Sequence, residues 1–282
     1  MSISKYRLFF ALMSLIVVLS SCQEVIELDL NEGDAQRLVV NGWMTDQPGR
    51  QRVDLSLTTS YFFNEAPPRV SDAVVSVTDG TDTWVFTEDE PGTYRPAADV
   101  VGEAGKTYVL NIEYAGETYN AAATLRASNP MDSIYVRYFD PLEEFGFPAD
   151  PYYSVRLWTE EPEGEGDAYL WYTFVNGFGI RDTLRELTLV EDSFYDGALI
   201  EDLEIDFVDI GTEAVTGDTL RLEQWNIGLE SYEVLNSILN QTEFQGGLFD
   251  APPANVQTNL SNGAFGLWGA ASIVEKSTII TE

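Results

Sequence analysis

The sequence predicts a mostly β protein: an N-terminal immunoglobulin-like antiparallel β-sandwich, then a second β-rich domain with one packed α-helix at about 229–241. Three observations predict it. Short runs with strand-like alternation recur between residues 37 and 127, with turn residues between them. Aromatic strand-like runs continue almost to the C-terminus. One stretch alone, Tyr232 to Leu239, repeats its apolar residues at helical spacing. The chain has 282 residues, enough for one large or two modest domains at about 150 residues each. Hydrophobic residues make up 44%, sufficient for a substantial core.

The N-terminus comes first. Lys5 and Arg7 precede an apolar run from Leu8 to Leu19 that only Ser14 interrupts. Twelve helical residues span about 18 Å, short of the ~30 Å hydrocarbon core. Residues 1–21 are therefore expected to be a secretory signal peptide and not a spanning helix. Leu19-Ser20-Ser21 leads small residues into Cys22, the chain's one cysteine. That pattern resembles the lipobox of bacterial lipoproteins, in which the cysteine carries the lipid and becomes the mature N-terminus. The alternative is an ordinary signal peptide with an incidental thiol. Residues 22–36 follow as a lipidated N-terminus and acidic tether bearing Glu24, Glu27, Asp29, Glu32 and Asp34.

The sandwich is expected over 37–127. Leu38-Val39-Val40-Asn41-Gly42-Trp43 forms its first strand, and Val53, Leu55 and Leu57 alternate in a second. Val74–Val77 meets Thr83–Phe86 across Asp79-Gly80-Thr81-Asp82, a hairpin turn. Pro91-Gly92 turns into Tyr94. Tyr108, Leu110, Ile112 and Tyr114 alternate before Ala115-Gly116-Glu117 reverses the chain. Seven strands in about 90 residues match an immunoglobulin-like sandwich.

A boundary is expected at Asn129-Pro130, because the residue before proline is pushed out of the helical region. The second domain, 128–282, opens with a strand at Asp132–Tyr135. Strands are then expected at 153–158, 169–175, 183–190, 200–208 and 218–225. In the helix, Tyr232, Leu235, Ile238 and Leu239 form one apolar stripe, and Gly246-Gly247 lies beyond its end. Val256 to Val274 reads as strand–turn–strand about Ser261-Asn262-Gly263.

Composition excludes several functions. The net charge of −32 repels phosphate backbones, so no nucleic-acid partner is expected. The absence of histidine, with a single cysteine, removes Ser-His-Asp and Cys-His catalysis, His-ligated metals and disulfides. No Gly-x-Ser-x-Gly elbow, P-loop or dinucleotide fingerprint is present.

Several segments taken together resemble a known family. They are the lipobox, the Leu38–Asp46 opening, Asp132-Ser133-Ile134, Tyr169–Tyr172 with Asn176-Gly177, Glu191–Gly197 and the ending Asn259–Gly269. In that order they resemble the Bacteroidota lipoproteins of the domain of unknown function 4249 family, across essentially the whole mature chain. The resemblance implies an outer-membrane lipoprotein, with palmitate among the lipids on Cys22, encoded beside a TonB-dependent transporter. It supplies no catalytic residues. Gln23-Glu24 followed by Val25-Ile26 only partly matches a surface-export signal, so the cell-surface and periplasmic faces both stay open.

Two constellations stand out. The loop from Tyr138 to Tyr153 sets Phe139, Phe145, Phe147 and Tyr152 among prolines and glycines without periodicity. Aromatics in a long loop suit a ligand or partner contact; the plainer reading folds the loop onto its own sandwich. Asp202, Glu204 and Asp206 alternate with Leu203, Ile205 and Phe207. On a strand these carboxylates share one face about 6.6–7 Å apart. Such a row can help hold Ca²⁺, the one cofactor considered besides the covalent lipid; a solvated strand face is the plainer reading. Glu160–Asp167 reads as a solvated turn. The expected function is a non-catalytic, lipid-anchored accessory protein of a TonB-dependent transporter. The alternatives are a surface module capturing glycans or peptides and, more remotely, a carboxylate-only glycosidase.

Overall fold

Alternation of apolar and polar residues sets the strands. In the computed structural model, which describes residues 36–59, 66–97, 100–164, 166–194, 196–242 and 256–281, seven strands fill the first half. They are β1 (Leu38–Thr45), β2 (Arg52–Leu57), β3 (Val74–Thr78), β4 (Thr83–Glu90), β5 (Thr93–Arg95), β6 (Thr107–Tyr114) and β7 (Glu117–Thr124). The signal sequence, Cys22, most of the tether and Gly246-Gly247 lie outside the described residues. The β3–β4 hairpin turns where expected, because Asp79 Oδ1 accepts the backbone N–H of Thr81 at 2.9 Å and of Asp82 at 2.8 Å.

The second half holds β8 (Ser133–Phe139), α1 (Pro141–Phe145), β9 (Tyr152–Glu160), β10 (Asp167–Val175), β11 (Phe178–Gly179), β12 (Thr188–Glu191), β13 (Leu199–Asp209), β14 (Thr219–Gly228), α2 (Leu229–Thr242) and β15 (Phe265–Ile279). The fold is thus mostly β, with one large sheet, a second sheet and one main helix. The large sheet runs β11-β10-β14-β15-β1-β2-β5-β4-β3-β6-β7, with β12 added to β10; β13-β9-β8 forms the small sheet.

β15 ties the halves together. Phe265–Ala271 pairs with β1 in parallel, and Ala271–Ile279 pairs with β14 antiparallel. This one parallel pairing has no local signature, since the partners are more than 200 residues apart. The glycines of the C-terminal segment explain its closeness. A Cβ at Gly266, where φ is +100°, would lie 1.9 Å from the Val40 carbonyl oxygen, and one at Gly269 would lie 2.3 Å from the Trp43 ring.

Two principal cores result. The first gathers Leu38, Val53, Leu55, Val75, Leu110, Ile112 and Leu125, completed by Leu260, Ala264 and Trp268 from the far end of the chain. Trp268 is fully buried, and its indole N–H donates to the Tyr108 carbonyl at 2.9 Å. The second lies between the small sheet (Tyr153, Val155, Leu157, Val208) and the large one (Tyr169, Trp171, Leu220, Leu222). A smaller cluster of Ala168, Leu170, Ile227 and Ala271 is covered by Tyr232 and Leu235 of α2.

Some elements differ from expectation. In α2 the buried positions are Ser231 and Val234, while the expected stripe is only half-buried; Tyr232 and Leu235 share the small cluster's cover with Trp43 and Trp225. Residues 183–190 divide into a 3-10 turn at Leu184–Glu186, closed by a Thr183–Glu186 capping box, and then β12. Residues 256–260 form no strand. Asn259 instead brackets Trp268, donating to its carbonyl at 2.7 Å and accepting its N–H at 3.1 Å. No helix among the described residues is long and apolar enough to cross a membrane.

Candidate functional site

Asp140 follows β8 and caps the start of α1. Its side chain accepts the N–H of Leu142 at 2.8 Å and of Glu143 at 3.4 Å, Pro141 takes the first helical position, and Gly146 closes the turn at φ +73°. The stretch expected to be irregular therefore contains a capped helical turn. That turn presents Leu142 (57% exposed) and Phe145 (69%) to solvent, and Phe147 follows at 67%.

Four rings line up behind them. Phe139, at the end of β8, lies opposite Tyr152 in register, with ring centroids 5.1 Å apart. Phe145 approaches Phe139 at 5.8 Å, and Tyr152 approaches Phe207 of β13 at 5.8 Å. Phe139 is buried and anchors the row. The Arg137 guanidinium sits 5.5 Å over its ring and is bonded to Glu144. Of the loop's aromatics, Phe139 is thus buried and Tyr152 half-buried, while Phe145 and Phe147 stay exposed. With Leu142 and Phe207 they form an exposed apolar patch on a strongly acidic molecule.

Strict alternation of β13 hides Phe207. It would put Phe207 on the inner face with Leu203 and Ile205. The β13–β9 register shifts twice, between Ile200 and Leu203 and between Glu204 and Asp206, and Asp202 takes a positive φ of 60°. Ile205 and Val208 then turn inward, and Phe207 is 58% exposed.

The same two shifts break the acidic row. Asp202, Glu204 and Asp206 do not share one open face. Arg156 lies 3.4 Å from both Asp202 and Glu204, while Asp206 pairs with Arg181 at 3.1 Å. Tyr135 also donates to Asp202, and Ser154 donates to Glu204. Burial pushes the Asp206 carboxyl upward, opposed by Arg181. Arg181 also binds Glu213 and stacks 5.7 Å from the Phe207 ring. Beside this pair opens a cleft of about 1060 Å³, bounded by the Arg181–Thr188 segment, by Glu204–Asp209 of β13 and by the end of α2. Phe207 belongs to both the cleft and the aromatic patch.

The turn after β9 is not wholly solvated either. Glu161 is buried, accepting from the Tyr169 hydroxyl at 2.5 Å and from Asn129 Nδ2 at 3.3 Å. Oxygens of Glu161, Asp167 and Asp192 lie within 4.8 Å of one another. Asp192 is occupied by the N–H groups of Gly166 at 2.9 Å and Asp167 at 3.0 Å, and Asp167 by Arg126. Burial raises the Glu161 carboxyl above its ordinary range, helped by Asp167 and Asp192 and opposed by Tyr169; it raises the Tyr169 hydroxyl too. The adjoining cavity is about 20 Å³, the size of a single water site.

Fold and site together define a mostly β protein with an exposed apolar patch beside an acid-lined cleft. The sequence profile of a family described as Domain of unknown function (DUF4249) matches residues 23–277, and the chain belongs to that family. No curated protein matches the chain.

Proposed function

We propose that this protein is a lipid-anchored outer-membrane accessory protein, held by an acylated Cys22 and partnering a TonB-dependent transporter without catalysis of its own. The exposed patch of Leu142, Phe145, Phe147 and Phe207 carries the reading. Large side chains left more than half exposed together suit a contact surface whose partner removes them from water. Cys22, preceded by small residues and a short apolar run, supports the anchor. Each buried CH₂ of an acyl chain contributes about 0.8 kcal/mol, so two or more chains hold a protein durably at the membrane.

The test is capture of the tagged protein from its own outer membranes in mild detergent, followed by mass spectrometry. The reading expects a stoichiometric transporter with the wild type, and its loss with Phe145→Ala/Phe147→Ala. Recovery of the protein alone would count against it. Ligand capture is the second reading, favoured by the ring row's continuity with the cleft through Phe207. Calorimetry against glycan and peptide panels tests it, and equal binding by the double variant would remove the patch from that role.

A further inference from the structure

One wall of the cleft is the edge of β13 that, among the described residues, pairs with no strand. The strand pairs with β9 on one side, with Phe207 opposite Ser154 and Asp209 opposite Tyr152. Toward the cleft, backbone groups of residues 205, 207 and 209 bond to side chains. Thr188 donates to the Ile205 carbonyl, and Arg181 donates to the Phe207 carbonyl. The Phe207 N–H donates to Asp206 Oδ1 at 2.8 Å, and the Asp209 N–H to Glu213 Oε2 at 2.9 Å. These alternate residues are the ones a neighbouring strand would bond. β12, across the cleft, pairs with β10 and not with β13. Among the described residues no strand therefore pairs with this edge of β13, and side chains hold the ladder positions.

Charge indicates the occupant. Five carboxylates line the walls; Glu204 pairs with Arg156, and Asp206 and Glu213 share Arg181, so that with Arg185 the balance stays negative, as it does for the whole chain at −32. Leu184, Leu187 and Ile238 supply apolar surface between them. Residues 243–255, which follow Thr242 at the cleft, contain Glu243 and Asp250 and no basic residue, so they do not bring the complementary charge. We propose that the cleft receives an extended cationic segment of another polypeptide, which adds as a strand to the edge of β13. About five residues, some 16 Å at about 3.3 Å each, span the ladder positions from 205 to 209. Arg181 keeps Asp206 and Glu213 as partners when an incoming N–H takes over the Phe207 carbonyl. This inference is independent of the membrane partnership.

The experiment titrates a capped heptapeptide of alternating lysine and valine into the full chain in mild detergent, at about 0.15 M salt to screen diffuse attraction. The same peptide with its amides N-methylated keeps charge and side chains but cannot donate to a strand edge. The expected result is one site per chain, binding of the methylated peptide weaker by about tenfold or more, and slowed amide exchange at Phe207 and Asp209. Equal affinity for the two peptides would reduce the effect to charge and overturn the proposal. So would the absence of binding, or binding that leaves exchange along β13 unchanged.

Discussion

Glu161 shows what a buried acid does in a molecule so negative. Its proton affinity is raised by burial, so its contribution to stability is fully present below its unfolded pKa and is lost as pH rises through the raised folded value. Asp79 behaves oppositely. The N–H groups of Asp82 and Thr81, with Lys106, hold it down at about 2, against a usual 3.8. Its contribution is present above the usual value and disappears as pH falls toward about 2. Glu161→Gln should therefore melt at or above the wild-type temperature at pH 8, with the difference shrinking toward pH 4. Thermal melts across that range check it, and a clear loss at pH 8 would show that the charge itself stabilises the fold. The residue scale is also where the sequence was least legible. Phe145 and Phe147 announce themselves by their place among glycines and prolines. Phe207 does not, because a one-residue slip turns a strand's faces over, and nothing local in Glu201–Asp209 marks the two bulges.

At the scale of elements, most strands follow from alternation, and the β3–β4, β6–β7 and Ser261–Gly263 turns from their residues. β15 is the exception in its partners. Its apolar run was legible, but the parallel pairing with β1 depends on contact across the length of the chain. Gly266 reports that contact. Alanine there meets both a disfavoured φ of +100° and the Val40 carbonyl, whereas Gly263, at φ +71°, has open space around it. Gly263→Ala should lose only the conformational cost, about 1–2 kcal/mol, and Gly266→Ala substantially more. Urea denaturation of the two variants measures the difference, and equal losses would show that β1 and β15 can separate without penalty. α1 is readable in hindsight as Asp-Pro followed by Gly, an N-cap, a first-turn proline and a left-handed stop. Five residues are too few for a periodicity to reveal.

For the whole molecule, the shared strand matters more than the division of the sequence into halves. Gln36–Glu282 forms one compact unit, and β15 reaches both principal cores, the first through Trp268 and the second through Val274, with Ile280 just past its end buried there too. Calorimetry should show a single unfolding transition, displaced upward by salt as self-repulsion among the excess carboxylates is screened. Two separated transitions would mean that the halves fold independently. The membrane partnership rests on the aromatic patch, and crosslinking in intact membranes probes that contact. A photoreactive phenylalanine analogue at position 145, in place of Phe145, should give one dominant adduct with an outer-membrane transporter, while the same group at the exposed Val85 of β4 should give none. Adducts with lipid alone, or none at either position, would mean that the patch does not meet a transporter.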